Sequence, residues 1–212
     1  MYLPAHFAIT EPEVMHRIIR EHPLGMLVTQ GAPGLDADHI PFEFDPGVGP
    51  CGTLTAHVAR ANDLWQRCPT GSAVMVVFRG AEGFVSPNWY PSKHESHRQV
   101  PTWNYQAVHA HGRLTVHDDQ RWVRGLVARL TRRHEASEPR PWKMSDSTPE
   151  FIDAMLQHIV GIEVTLSSLE GKAKLSQNKE PRDRVAAAQT LASRGKDGLA
   201  RAMLDMPRRG DL

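Results

Sequence analysis

Residues 24–58 read LGMLVTQGAPGLDADHIPFEFDPGVGPCGTLTAHV. This stretch holds three short runs with strand character, Leu24–Gln30, Asp36–Phe44 and Gly52–Val58, and residues typical of turns separate them. Parallel strands need a crossover connection of roughly a dozen residues or more, whereas antiparallel neighbours can be joined by a short turn. The short connections therefore predict consecutive antiparallel strands, as in a meandering sheet or a small barrel.

Helices are predicted on both sides of this stretch. Thr10–Glu13 has the pattern of a capping box at the start of a helix, which Pro23 would end. Asp118 is the expected cap of a later helix, in which Trp122, Leu126 and Leu130 recur at helical spacing. The other predicted elements are strands at Ser72–Phe78, Gly83–Ser86, Val108–Val116 and Gly161–Leu166, a turn at Gly80, a loop at Pro87–Pro101, and helices from Ala59, Thr148 and Pro181. Together they predict an α+β protein with helices packed on an antiparallel sheet.

The composition predicts a folded domain of nearly neutral charge. The chain has 212 residues, 40% of them hydrophobic, and 25 Lys and Arg against 24 Asp and Glu give a formal net charge of +1. This balance excludes a disordered chain and a globally basic nucleic-acid binder. The longest apolar run, Ala73–Phe78, is far shorter than the roughly 20 residues that span a bilayer, and the first residues do not resemble a secretory signal. With two cysteines, Cys51 and Cys68, the sequence predicts a cytoplasmic protein with no membrane-spanning segment.

A polar segment ends the opening stretch. Thr55 and His57 lie on one face of the predicted strand, and Arg60 and Asn62 follow where a helix is expected to begin. Hydroxyl groups, a guanidinium and the free N–H groups of a helix start are suited to binding a phosphate. The alternative is structural, with Arg60 in a salt bridge and Asn62 capping the helix, and the sequence leaves both open.

Three further segments carry groups that can hold a polar ligand. Residues 86–93 place aromatic rings beside prolines, which suits a flat-ring pocket, a dimer contact or a loop anchored on the core. Residues 100–105 are predicted to be extended, because Pro101 disfavours the helical conformation of the residue before it. One face of this segment then carries Thr102, Asn104 and Gln106, and the other carries Trp103 and Tyr105. Residues 171–179 combine lysines with hydroxyl and amide groups, as in an anion site or in an ordinary solvated surface.

Several familiar signatures are missing from the sequence. It contains no Walker loop and no Gly-x-Ser-x-Gly elbow, and its two cysteines are too far apart for a Cys-x-x-Cys zinc site.

His109 and His111 share one face of a predicted strand, where they are candidates for binding a metal or haem. The alternative is a partly exposed pair of histidines without a ligand.

A set of motifs gives the chain a resemblance to a known family. The motifs are Tyr2-x-Pro4-x-His6-Phe7, Ala37-x-His39-Ile40-Pro41, Gly52-Thr53-Leu54 with His57-Val58-Ala59-Arg60-Ala61-Asn62, Ser86-Pro87-x-Trp89-Tyr90-Pro91-Ser92-Lys93, Val100-Pro101-Thr102-Trp103-Asn104-Tyr105, and Gly171-Lys172-x-Lys174-Leu175-Ser176-Gln177-Asn178. With these motifs in this order, the chain resembles the PaiB-type FMN-binding negative transcriptional regulators. The resemblance implies an antiparallel split β-barrel of the FMN-binding, pyridoxamine-phosphate-oxidase-like kind with peripheral helices. We expect this domain to cover residues 1–190 and a helical tail to cover residues 191–212.

The resemblance also implies a cofactor, FMN, held at the interface of a homodimer. The implied phosphate partners are Arg60 and Lys172 or Lys174, with Thr55, His57 and Ser176 as neutral donors. The residues implied for the ribityl chain and the polar edge of the ring are Asn62, Thr102, Asn104 and Gln177. Those implied for packing against the ring or the interface are Trp103 and Tyr105, and Ile40 and Pro41 would flank the isoalloxazine.

Three functions are compatible with such a chain. The first is the negative transcriptional regulator of the family, although a net charge of +1 gives little electrostatic attraction to DNA. Its best candidate for a DNA-facing surface is the helix face with Arg121, Arg124, Arg129, Arg132 and Arg133, which could equally be solvated. The second is an oxidoreductase that uses FMN with NAD(P)H or a small substrate, where the cofactor carries the redox chemistry. The third is a haem-handling split barrel with His109 and His111 as ligands.

Overall fold

The computed structural model of the protein describes residues 1–31 and 34–205. The strands in these residues are β1 (Ala8–Ile9), β2 (Leu24–Gly31), β3 (Gly34–Pro41), β4 (Glu43–Asp45), β5 (Thr53–Ala59), β6 (Ala73–Val85), β7 (Thr102–His117) and β8 (Ile159–Lys174). The helices are α1 (Pro12–Glu21), α2 (Leu64–Arg67), α3 (Pro91–Ser96), α4 (Gln120–His134), α5 (Pro149–Leu156), α6 (Pro181–Ser193) and α7 (Asp197–Asp205). None of these helices is both long enough and apolar enough to cross a membrane. The predicted weakly ordered end, Pro207–Leu212, lies outside the described residues, as does the middle of the turn at 31–34.

Antiparallel pairing confirms the meander predicted from residues 24–58. β2 and β3 pair along their whole length, from Leu24 opposite Pro41 to Gly31 opposite Gly34. β4 pairs with β5 in the same sense, and β5 pairs antiparallel with β8. The strands form an eight-stranded sheet in the order β3-β2-β6-β7-β8-β5-β4, with β1 paired to β8. The short turns of the opening stretch therefore produce the neighbours that the sequence predicts.

The predicted caps of α1 and α4 are wrong. The cap of α4 is Asp119, whose side chain accepts a hydrogen bond from the Trp122 N–H at 2.7 Å. Asp118, the expected cap, uses its carboxylate in an ion pair outside the helix. The capping box predicted at Thr10–Glu13 is also absent from the start of α1, which begins at Pro12 with no side-chain capping hydrogen bond.

The long strands extend past their predicted ends. Gly80, the expected turn, lies inside β6, so that prediction is wrong. A Cβ at this position would come within 3.0 Å of the Cβ of Gln106, and the glycine therefore permits a close approach to β7 rather than a turn. β7 and β8 likewise continue beyond the predicted strands, and the segment predicted as a loop at Pro87–Pro101 contains α3.

The chain divides into two compact units. One, here called the terminal unit, comprises Met1–His22, Phe78–His109 and Glu170–Leu212; the other, the central unit, comprises Pro23–Val77 and Ala110–Leu169. Buried side chains in the central unit include Leu27, Leu54, Val76, Leu126 and Ile162. Those in the terminal unit include Tyr90, Leu175, Leu191, Leu199 and Met203. The boundary expected between residues 190 and 191 stays a prediction.

Candidate functional site

The predicted site residues fall into two groups, one in each compact unit. The group in the central unit lies where β5 ends and the chain leads into α2. We call this group, which consists of Thr55, His57, Arg60 and Asn62, the arginine cluster. The others lie in the terminal unit, at the start of β7 and around the end of β8. They are Thr102, Trp103, Asn104, Tyr105, Lys172, Lys174, Ser176 and Gln177.

Arg60 is held by several contacts within the protein. Its two terminal nitrogens donate to the Asp118 carboxylate at 2.5 and 3.0 Å, and its Nε donates to the carbonyl of Gln157 at 2.7 Å. A longer bond of 3.3 Å joins the guanidinium to the carbonyl of Ile159. The hydrogen bonds between the two side chains raise the pKa of Arg60 and lower the pKa of Asp118. Arg60 thus forms the salt bridge that the sequence left open, and a phosphate bound here would replace Asp118.

Asn62 has a structural role at the start of α2. Its side-chain oxygen accepts a hydrogen bond from the Leu64 N–H at 2.9 Å, and its Nδ2 donates to the Asp38 carboxylate at 2.7 Å. The first bond satisfies a backbone donor that the helix start leaves without an intrahelical partner. The N-cap of α2 is Asp63, which makes no side-chain capping hydrogen bond, so Asn62 bonds the helix start from the position before the cap and the predicted cap at Asn62 is wrong.

Thr55 and His57 provide neutral groups beside Arg60 in the sequence. The Thr55 hydroxyl donates to Glu43 Oε2 at 3.3 Å. Among the described residues, His57 Nδ1 is buried without a hydrogen-bond partner. Burial lowers the pKa of His57, which keeps the imidazole neutral near pH 7. The arginine cluster thus offers neutral polar groups and a guanidinium that is already paired.

Two ammonium groups define a second cluster, in the terminal unit. Lys172 Nζ donates to the carbonyl of Tyr2 at 2.9 Å and lies 5.5 Å from the ring centroids of Tyr2 and Tyr105. Lys174 Nζ donates to Thr102 Oγ1 at 2.6 Å and to the Trp103 carbonyl at 3.0 Å. Within residues 1–31 and 34–205, neither ammonium forms an ion pair with a carboxylate. We call Lys172, Lys174, Thr102 and Tyr105 the lysine cluster.

The remaining predicted residues of the terminal unit are engaged in the protein interior. Asn104 Nδ2 donates to Ser176 Oγ at 3.0 Å, and Ser176 Oγ lies 3.2 Å from the Tyr90 hydroxyl. All three residues are buried, and burial raises the pKa of Tyr90. The Gln177 side chain closes its own turn, donating to the Ala173 carbonyl at 2.6 Å and accepting from the Leu175 N–H at 2.7 Å. These contacts hold the chain in place directly after the lysine cluster.

Trp103 lines a cavity of about 820 Å³ in the terminal unit. Its side chain is half exposed, at 51%. Other residues lining this cavity, which we call the tryptophan cavity, are Glu82, Phe84, Trp89, Arg194 and Lys196. The sequence drew attention to Trp89 and Trp103, but it missed Arg194 and Lys196. These two follow α6, in a part of the chain that no motif marks.

Ion pairs reduce the free positive charge of the arginine-rich face of α4. Arg124 pairs with Asp153, and Arg129 Nε lies 2.9 Å from Glu43 Oε2. The surface considered for DNA therefore carries less uncompensated charge than a count of its arginines predicts.

The other predicted positions lie on strands of the sheet. His109 and His111 are partly buried on β7. Ile40 is buried near the end of β3, and Pro41, the last residue of that strand, is exposed. Their roles toward a ligand stay predictions.

Comparison with known proteins places the chain in a family. The family model described as "Putative FMN-binding domain" matches residues 1–168. Protease synthase and sporulation protein PAI 2 of Bacillus subtilis is 30% identical over 193 residues, which cover 90% of this chain and 89% of that protein.

Two solved structures share the fold at low sequence identity. The FAD and heme binding protein from Mycobacterium smegmatis has a TM-score of 0.58 and 17% identity, covering 85% of this chain and 79% of that one. The flavocytochrome Anf3 from Azotobacter vinelandii has a TM-score of 0.56 and 12% identity, covering 79% of this chain and 69% of that one. These likenesses confirm the predicted antiparallel split-barrel fold with peripheral helices. The match of the family model and the identity to PAI 2 together show that the chain belongs to the PaiB-type family of FMN-binding domain proteins.

Proposed function

We propose that this chain binds FMN and that the lysine cluster holds the phosphate of the cofactor. The observation that carries the proposal is the pair of ammonium groups on β8 with no carboxylate partner among the described residues. A phosphate carries about two negative charges at neutral pH, and charge-assisted hydrogen bonds are the strongest that a protein offers it. Family membership and the flavoproteins of the same fold support the choice of a flavin.

The donor groups of the lysine cluster fit a phosphate. An ammonium has three N–H donors. Lys172 uses one of them and Lys174 uses two in the hydrogen bonds to protein oxygens, so both retain a donor for a ligand. The Thr102 hydroxyl accepts from Lys174 and can still donate its own proton. When bound, FMN supplies a redox-active ring, while these residues bind and orient its phosphate and ribityl chain.

The arginine cluster fits a phosphate less well. Asp118 already neutralises Arg60, and the guanidinium nitrogens all donate to protein oxygens. A phosphate bound there would compete with the Asp118 carboxylate for the guanidinium. We therefore assign the phosphate to Lys172 and Lys174, and the role predicted for Arg60 becomes the competing assignment.

The phosphate is the difference between FMN and riboflavin, so their relative affinity tests the proposal. Titration of the wild-type protein, followed by quenching of flavin fluorescence, gives both dissociation constants. We expect FMN to bind at least about tenfold more tightly than riboflavin, since one charge-assisted bond contributes roughly 1.5–3 kcal/mol. Equal affinities would remove the basis for any phosphate site.

We extend the proposal to a homodimer, the assembly that the resemblance implies. Apolar side chains on the paired strands β2 and β3 support it, because Leu24 is 59% exposed and Leu35 is 77% exposed. Exposed apolar surface of this kind can mark a contact with another protein. Sedimentation velocity at micromolar concentration is expected to show a dimer, and a monomer at every concentration would contradict this part of the proposal.

A second candidate is a flavoprotein that also handles haem. Both solved structures of the same fold are named for this combination, a flavocytochrome and a FAD and heme binding protein. Titration with haem should then produce a Soret band, which His109→Ala or His111→Ala should weaken. A titration without a Soret band would eliminate this candidate.

The use of the flavin is a separate question from its binding. For an oxidoreductase, anaerobic mixing of the flavin-loaded protein with NADH or NADPH should bleach the flavin absorbance. For the regulator role, a mobility-shift assay at low salt should retard promoter DNA. The ion pairs of Arg124 and Arg129 reduce the positive charge available to DNA and so weigh against the second outcome.

A further inference from the structure

The tryptophan cavity combines aromatic walls with positive charge. Phe84 and Trp89 meet edge to face, with ring centroids 6.5 Å apart. Trp103 forms the third aromatic wall, and a hydrogen bond from its side chain contributes to lowering the pKa of Glu82 after the larger contribution from Arg79.

The cationic side of the cavity is formed by Arg194 and Lys196. The Arg194 guanidinium lies 4.8 Å from the centroid of the Trp89 ring. In the part of the chain that the structure describes, neither cation forms an ion pair. Glu82, the carboxylate that lines the same cavity, pairs with Arg79. The cavity therefore carries a net positive charge beside its aromatic walls.

We infer that the tryptophan cavity binds a nucleotide other than the FMN of the lysine cluster. A flat heteroaromatic base stacks on indole and phenyl rings without needing a particular hydrogen-bond pattern, and a phosphate is held by an arginine and a lysine together. The volume of about 820 Å³ lies in the upper part of the range of roughly 300–1,000 Å³ typical of small-molecule sites. This inference goes beyond the proposed function, because the cations of the cavity, Arg194 and Lys196, do not belong to the lysine cluster.

The test uses AMP as the probe and isothermal titration calorimetry as the measurement, with protein saturated with FMN. We expect AMP to bind the wild-type protein and adenosine to bind more weakly, because adenosine lacks the phosphate. The double variant Arg194→Ala, Lys196→Ala should weaken AMP binding at least about tenfold while leaving FMN affinity unchanged. The double variant Arg140→Ala, Lys143→Ala removes the same charges from exposed positions outside the cavity and should bind AMP as the wild type does.

A second variant tests the aromatic wall. Phe84 is 48% exposed, so Phe84→Ala should fold and should weaken adenosine and AMP by the same factor. Failure of AMP to bind at about 1 mM, or unchanged AMP affinity in both cavity variants, would overturn the inference. Displacement of AMP by FMN would also overturn it, by showing one shared site. If instead FMN does not bind and AMP does, the proposed function fails and this inference stands.

Discussion

Replacing Lys174 by alanine tests the assignment of the phosphate in the most direct way. Lys174 is half buried and its Nζ is held by Thr102 Oγ1 and the Trp103 carbonyl, so the substitution removes a positioned cation. A charge-assisted contact with a phosphate contributes roughly 1.5–3 kcal/mol, which corresponds to a loss of about 10- to 150-fold in FMN affinity. Riboflavin has no phosphate, and we expect its affinity to change by less than about twofold.

The assay is a fluorescence titration of wild-type protein and variants with both flavins. Lys174→Arg keeps the charge and should recover most of the FMN affinity, whereas Lys143→Ala, an exposed control, should have no effect. Thermal unfolding of each variant shows whether the fold is retained, since the two lost hydrogen bonds reduce stability by about 1–3 kcal/mol. If Lys174→Ala binds FMN like the wild type, or binds FMN and riboflavin more weakly by the same factor, Lys174 does not hold the phosphate.

Three other substitutions test the surroundings of the site and the fold. Asp118→Asn breaks the exposed ion pair with Arg60. We expect it to reduce the free energy of unfolding by at most about 1 kcal/mol and to leave FMN affinity unchanged. A marked gain in FMN affinity would instead assign the phosphate to Arg60. Gly161→Ala places a Cβ 2.2 Å from the Trp122 ring, so urea denaturation should show a loss of about 1–3 kcal/mol, and an unchanged midpoint would show that the ring moves freely. Burial lowers the pKa of His57 below 6.5, so the unfolded chain binds the proton more readily than the folded protein. The free energy of unfolding should therefore fall as the pH drops through 6.5 and below. His57→Asn should make this fall shallower, and identical pH profiles of the variant and the wild type would contradict the burial argument.

The sheet could be predicted where the information is local. The connections between β2 and β3 and between β4 and β5 are short in the sequence, and short connections predict antiparallel neighbours. Gly80 could not be interpreted in the same way. Its role depends on Gln106, which lies on another strand, and a glycine that permits a close approach looks in the sequence like a glycine in a turn.

The candidate site was predictable only in part, for the same physical reason. The motifs around Arg60 and Lys174 mark cationic groups that can bind a phosphate. The sequence could not show that Asp118 neutralises Arg60, or that Lys174 binds a hydroxyl and a carbonyl instead of a carboxylate. Arg194 and Lys196 carry no local signal at all. Only folding brings them to the same cavity as Trp89.

Whether the chain binds FMN is decided by the absorbance spectrum of the protein after it has been loaded with the cofactor. Purified protein is incubated with an excess of FMN and then separated from free flavin by gel filtration. We expect a flavin spectrum that elutes with the protein at close to one FMN per chain, and a stoichiometry well below this for Lys174→Ala. Protein that elutes without flavin absorbance, at a concentration of FMN that saturates a micromolar site, would contradict this expectation.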